Sequence, residues 1–171
     1  LSSLPGAAIT SVKIEGVKHE FTSVPGVIED VTDIILNLKE VVLKYGGDDI
    51  ETITIQAEGE GAVTAGEFRA SGDIEIVNKD HVIANLAEDG ELRLEATVER
   101  GRGYVSAEEN KEHFDKVIGL IPIDSSFSPI ERANFNVEDT RVGQVTDYDR
   151  LILEVDTDGS ITPDDAISLA A

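Results

Sequence analysis

Glu91-Leu92-Arg93-Leu94-Glu95-Ala96-Thr97-Val98 alternates a polar residue with an apolar one at every step. Successive side chains of a strand point to opposite faces, so this period of two makes a strand with one buried and one wetted face. The pattern extends backwards through Ile50, Ile53 and Ile55, then Ile74 and Ile76, then Val82. Turn signals at Gly46-Gly47-Asp48-Asp49, Gly59-Glu60-Gly61, Ser71-Gly72-Asp73 and Asp89-Gly90 separate the runs. Ile50 to Gly101 is therefore expected to form a β-rich layer.

Upstream, Val12 and Ile14, then Val17, His19 and Phe21, predict two short strands about a Glu15-Gly16 turn. From Val27 the period changes. Val27, Val31, Ile34, Ile35 and Leu38 are spaced by three and four, and Glu29, Asp30 and Asp33 lie early, where the helix dipole favours anions. One amphipathic helix follows Pro25-Gly26, with Lys39 at its C-terminal end and Val41-Val42-Leu43 as a strand beyond it. Downstream, Ser106 to Lys116 is polar and acidic and predicts a mobile surface loop. Arg132 to Val137 and Leu151, Leu153 and Val155 alternate about Thr146-Asp147-Tyr148-Asp149, which predicts an antiparallel pair. Thr162 as N-cap, Pro163 at the first helical position and Asp164-Asp165 in the first turn start a helix at Pro163. The fold class is α+β and β-rich.

The chain has 171 residues, with 35 Asp and Glu against 14 Lys and Arg and a formal charge of −21. Such a field repels polyanions, so direct nucleic-acid binding is disfavoured. The absence of Cys removes disulfides, thiolate metal sites and cysteine nucleophiles. No apolar run reaches the roughly 18 residues that span a bilayer, and Leu1-Ser2-Ser3-Leu4-Pro5-Gly6 has no leader character, so no membrane association and a cytoplasmic location are expected. A sequence without Met that begins at Leu1 is expected to be a piece of a longer product.

Few motifs suggest chemistry. Glu154, Asp156, Asp158, Gly159, Ile161 and Asp165 overlay positions 1, 3, 5, 6, 8 and 12 of an EF-hand calcium loop. This supports an alternative, an acidic calcium-binding module using Asp156, Asp158 and Asp165. Against it stand the alternating Leu151, Leu153 and Val155, which predict a strand where an EF-hand needs a helix, and Pro163 inside the loop. The favoured reading is strand, Asp-Gly turn and capped helix. Glu29-Asp30, Asp48-Asp49, Glu108-Glu109 and Asp164-Asp165 are read as solvated surface, and His19, His81 and His113 lack metal spacing. Arg100-Gly101-Arg102-Gly103-Tyr104 is the one compact basic and aromatic cluster, better suited to carboxylates or a partner protein than to nucleic acid. With no phosphate-binding loop, dinucleotide fingerprint or nucleophile elbow, no catalytic residues and no cofactor are assigned.

A set of strings is more specific. Leu1 to Thr10, His19 to Val27, Glu29 to Lys39, Gly101 to Val105, Ile121 to Asp124, Ser128-Pro129, Asn136 to Glu138, Thr140 to Gln144, Thr146 to Asp149 and Asp158 to Pro163 together resemble, collinearly, the amino-terminal region of bacterial RNA polymerase alpha subunits. The resemblance implies a non-catalytic assembly scaffold of DNA-directed RNA polymerase, a nucleotidyltransferase. Its partners would be a second alpha subunit and the beta and beta-prime subunits. It implies an inserted domain over 6–129, with 1–5 and 130–171 as an incomplete α+β dimerisation domain. It also implies roles for single residues. Leu1, Ser2, Ser3, His19, Glu20, Phe21, Lys39 and Ile123 would face the large subunits, Arg141, Val142, Gly143 and Gln144 would lie at the interdomain junction, and Ile167 and Leu169 would be a remnant of the dimer interface. Dimerisation is expected to be weakened, because most of that helical interface lies outside the sequence. In some family members the loop matching Ser106 to Lys116 meets transcription activators. Here Glu108 to His113 matches the family only in being polar and acidic, so activators are the least supported partner.

Overall fold

The computed structural model describes residues 1, 4–17, 23–70, 73–113, 119–142 and 145–171. The chain opens with strand β1 (Pro5–Ile14), helix α1 (Val31–Lys39), β2 (Leu43–Tyr45) and β3 (Glu51–Glu58). It continues through β4 (Gly61–Thr64), a 3-10 turn over Ala65–Glu67, β5 (Ile74–Ile76), β6 (Val82–Leu86) and the long β7 (Glu91–Arg102). Then come β8 (Tyr104–Val105), α2 (Ala107–His113), β9 (Leu120–Pro122) and β10 (Ser125–Ser126), and finally β11 (Ile130–Val142), β12 (Val145–Thr157) and α3 (Pro163–Ala170). The α+β, β-rich class expected from the sequence is what is found. None of the described helices is long and apolar enough to cross a membrane.

The main sheet has six strands in the order β3-β7-β1-β2-β5, with β9 paired to the other end of β1. Its register explains the alternation. Ile55, Leu94 and Ile14 form one cross-strand row and Ile53, Ala96 and Val12 the next, all of them almost completely buried. The intervening residues, among them Thr54 and Glu95, share the opposite face. Against the apolar rows lies α1, which buries Val31, Ile34, Ile35 and Leu38 in the same core. Asn37 donates from Nδ2 to the Ile83 carbonyl at 2.8 Å and ties α1 to β6. Hydrophobic burial at ~25 cal/mol per Å² makes this cluster the main source of stability.

Several expectations are corrected. The helix begins at Val31, because the backbone at Val27 and Ile28 bonds to β6 through Leu86 and Asn85, while the Asp30 carboxylate caps the Asp33 N–H at 2.9 Å. Glu29, expected in the first helical turn, instead clamps Asn85, accepting from its backbone N–H at 2.7 Å and from Nδ2 at 2.6 Å. The strand after α1 starts at Leu43, since the Val42 N–H is taken by the Asn78 side chain. Ile50 is exposed and lies outside β3, and Val82 is exposed while Ile83 enters the core, where the β4–β6 pair shifts register between Val63 and Thr64. The second strand expected before α1 falls largely on 18–22, outside the described residues.

The expected surface loop from Ser106 contains α2. Its start is a reciprocal cap: the Glu109 N–H donates to Ser106 Oγ at 3.3 Å and the Ser106 N–H to Glu109 Oε2 at 3.1 Å. The antiparallel pair at the C-terminal end is present as β11 and β12, but it runs from Ile130↔Thr157 to Val142↔Val145, so Thr146 to Asp149, expected as the turn, belong to β12 and pair with the end of β11; α3 starts at Pro163 with Thr162 Oγ1 accepting from Asp165 N–H.

A groove between α1 and β9

Two residues far apart in sequence, Lys39 and Ile123, come together at one place. Lys39 ends α1, and Ile123 follows β9, whose register with β1 is continued by the Ile123 N–H bonding to the Thr10 carbonyl at 3.0 Å. Between α1 and β9 runs a groove of about 260 Å³, bounded by Thr32, Leu36, Lys39, Pro122 and Asp124 with Ile35 and Ile123 beneath. Leu36 is 52 % exposed on the helix face that the core does not use. Ile123 is 2 % exposed, so it acts here as floor and core, not as a free surface side chain.

The groove ends in an ion pair, with Lys39 Nζ 3.0 Å from Asp124 Oδ2 and both side chains about one-third exposed, at 32 and 35 %. The other Asp124 oxygen accepts the Ala107 N–H at the start of α2 at 2.7 Å. That backbone bond, and after it the Lys39 ammonium, hold the Asp124 carboxyl below the usual aspartate range. Asn110 of α2 is buried and donates from Nδ2 to the Ile123 carbonyl at 2.7 Å and to Ser125 Oγ at 3.0 Å, while the Ser125 hydroxyl donates to the Ile9 carbonyl at 2.8 Å. Sequence reasoning missed Asp124, Asn110 and Ser125. The capping pattern Ser106 to Glu109 was the available signal for α2.

The other expected positions are scattered or undescribed. Ser2, Ser3, His19, Glu20, Phe21, Gly143 and Gln144 lie outside the described residues, and Leu1 is half-buried next to the buried Leu4. Arg141 and Val142 close β11, whereas the chain passes from the main sheet into β11 at Ser128–Ile130. Ile167 and Leu169 are exposed on α3. Phe135 pairs with Leu153 and Val137 with Leu151 across β11 and β12; all four share one face and are exposed, Phe135 at 75 %. Such an uncovered apolar ribbon is a surface built to be covered.

The calcium-like loop has the strand, turn and helix expected of it. β12 precedes it where an EF-hand has a helix, Asp158 Oδ1 accepts from the Ser160 N–H at 2.9 Å within the turn, and Gly159 takes φ +93°. Asp156 lies 3.8 Å from Arg132 Nε. Among the described residues no cluster of three His, Asp or Glu is placed to hold a metal ion. His81 is structural, with Nε2 2.8 Å from the Asn37 carbonyl.

Known proteins match the chain along all 171 of its residues. The family model of the RNA polymerase Rpb3/RpoA insert domain matches residues 12–128. Proteins named DNA-directed RNA polymerase subunit alpha from Carboxydothermus hydrogenoformans, Desulfitobacterium hafniense and Moorella thermoacetica are 63, 62 and 60 % identical over all 171 residues. The chain spans about half the length, 54 %, of each of these relatives. The chain therefore belongs to the bacterial RNA polymerase alpha subunit family and carries its Rpb3/RpoA insert domain.

Proposed function

We propose that the chain acts as a non-catalytic scaffold in the assembly of DNA-directed RNA polymerase, presenting one surface to a large subunit and another to a second alpha subunit. The observation that carries this reading is the similarity of all 171 residues to about half the length of alpha subunits, at 60 to 63 % identity. The α1–β9 groove, with exposed Leu36 at one side and the Lys39–Asp124 pair at its end, supports it as the surface for beta-prime or beta. An apolar anchor site edged by a charge is the usual anatomy of a protein interface. The apolar faces of β11, β12 and α3 support the assignment of 130–171 to the dimerisation domain, and a net charge of −21 supports recruitment through protein contacts rather than through nucleic acid. Placement in the cytoplasm follows from the same role.

The test is co-purification. A full-length alpha subunit carrying this sequence is expected to bring down beta and beta-prime. Leu36→Glu is expected to weaken that capture about tenfold or more by burying a charge at the interface, with the far-UV spectrum unchanged. Undiminished capture by Leu36→Glu and by Lys39→Met together refutes the groove as the docking surface.

A further inference from the structure

The two oxygens of Asp124 serve different elements. One takes the last-turn lysine of α1 at 3.0 Å and the other the first N–H of α2 at 2.7 Å. The sequence of α2, Ala107-Glu108-Glu109-Asn110-Lys111-Glu112-His113, contains no apolar side chain larger than alanine. Burial of apolar surface therefore adds little to its docking. Directional polar bonds hold it instead, made by three consecutive residues: the Ile123 carbonyl, the Asp124 carboxylate and the Ser125 hydroxyl.

We propose that Asp124 is a positioning residue that couples α2 to the groove, its carboxylate holding the Lys39 ammonium in one place while α2 is docked and releasing both together. The functional meaning of a fixed Lys39 rests on the reading of the groove as a docking surface; the coupling itself is a property of this chain. The logic is reciprocal, since whatever loosens α2 loosens Lys39 to the same degree in free energy. The ionisable groups around the carboxylate are Lys39 from α1, Tyr104 from β8 and Glu109, which acts on Tyr104, from α2. Protonation of Asp124 at acid pH would discharge the carboxylate that the two elements share, removing its ion pair with Lys39 and weakening its bond to the Ala107 N–H.

The experiment is amide hydrogen exchange at Asn110, Lys111 and Glu112 in the intact chain. Lys39→Met is expected to speed exchange in α2 about two- to fivefold at neutral pH, the size of one partly exposed ion pair, although the change lies on another helix. Lys39→Arg is expected to restore it. In an Asp124→Asn background the Lys39→Met change is expected to have no further effect, and the fall in α2 protection between pH 6 and acid pH is expected to flatten. Unchanged α2 exchange in Lys39→Met, or additive effects in the double variant, overturns the coupling. Capture of the large subunits by the same Lys39 variants reports separately on the docking reading: if α2 responds to Lys39→Met and capture by Leu36→Glu and Lys39→Met does not change, the coupling stands and the docking reading falls.

Discussion

Ile123 and Lys39 separate a core role from a surface role at one groove. At 2 % exposure, with its N–H bonded to Thr10 and its carbonyl to Asn110, Ile123 is part of the packed interior. Truncation to alanine removes buried methylene and methyl groups and leaves a cavity, at a cost of about 2–5 kcal/mol. For a chain of this size each kcal/mol shifts the midpoint by about 2–4 °C, so Ile123→Ala is expected to lower Tm by roughly 4–20 °C. Lys39→Met removes an ion pair between side chains that are about one-third exposed, and solvent screening limits its contribution to about 0–1 kcal/mol. Urea unfolding followed by far-UV circular dichroism at neutral pH reads both values from the same cooperative transition. Large-subunit capture is then measured at a temperature where both variants are folded, and there Ile123→Ala is expected to retain it while Lys39→Met loses it. An Ile123→Ala shift below about 0.5 kcal/mol would refute the packing argument and return Ile123 to the surface.

Three further outcomes follow from particular contacts. A Cβ at Gly90 would lie 2.3 Å from the Gly26 carbonyl oxygen and 2.9 Å from that of Ala87, so Gly90→Ala is expected to cost about 2–4 kcal/mol through overpacking and a lost hydrogen bond; Gly59→Ala, at φ +87° with nothing near, is expected to cost only about 1–2 kcal/mol, and equal Tm losses would refute the contact. Burial raises the Glu29 carboxyl, but its bonds to Asn85 outweigh this and leave the folded-state pKa below the ordinary 4.5, so its stabilisation is present above that value and fades as pH falls through the lower one. Glu29→Gln, which turns a donor towards the Asn85 donors, is expected to cost about 1–3 kcal/mol at pH 7, and the gap to the parent protein is expected to narrow below pH 4 in acid titrations of urea stability; a constant gap argues against the clamp. Phe135→Ser with Leu151→Ser, on the uncovered face of β11 and β12, is expected to reduce concentration-dependent association in sedimentation while leaving the main-sheet transition unchanged.

Much of this molecule is local and therefore legible in sequence. The alternation of β7 follows from the two-residue period of a strand, the start of α3 from Thr162 and Pro163, and the amphipathic stripe of α1 from its spacing. The collinear strings carried the family. Less legible were the elements whose state depends on a distant partner. The start of α1 is not marked by the apolar spacing, because Val27, Ile28 and Glu29 bond to β6, about 56 residues away in the case of the Glu29–Asn85 pair. α2 has no apolar face, so no local period marks it as a helix, and its docking depends on residues 123–125.

The sequence by itself determined the β-rich α+β class, the acidic field, the strand-turn-helix at 151–170 and the family, because each rests on periodicity, composition or ordered strings. Tertiary structure alone decided that Lys39 and Ile123 meet at one groove, that the first is its charged edge and the second its floor, and that Asp124 joins them to α2. Those facts depend on strand order and register, since β9 reaches α1 only by pairing with β1, and no one-dimensional pattern encodes which residues a sheet brings side by side.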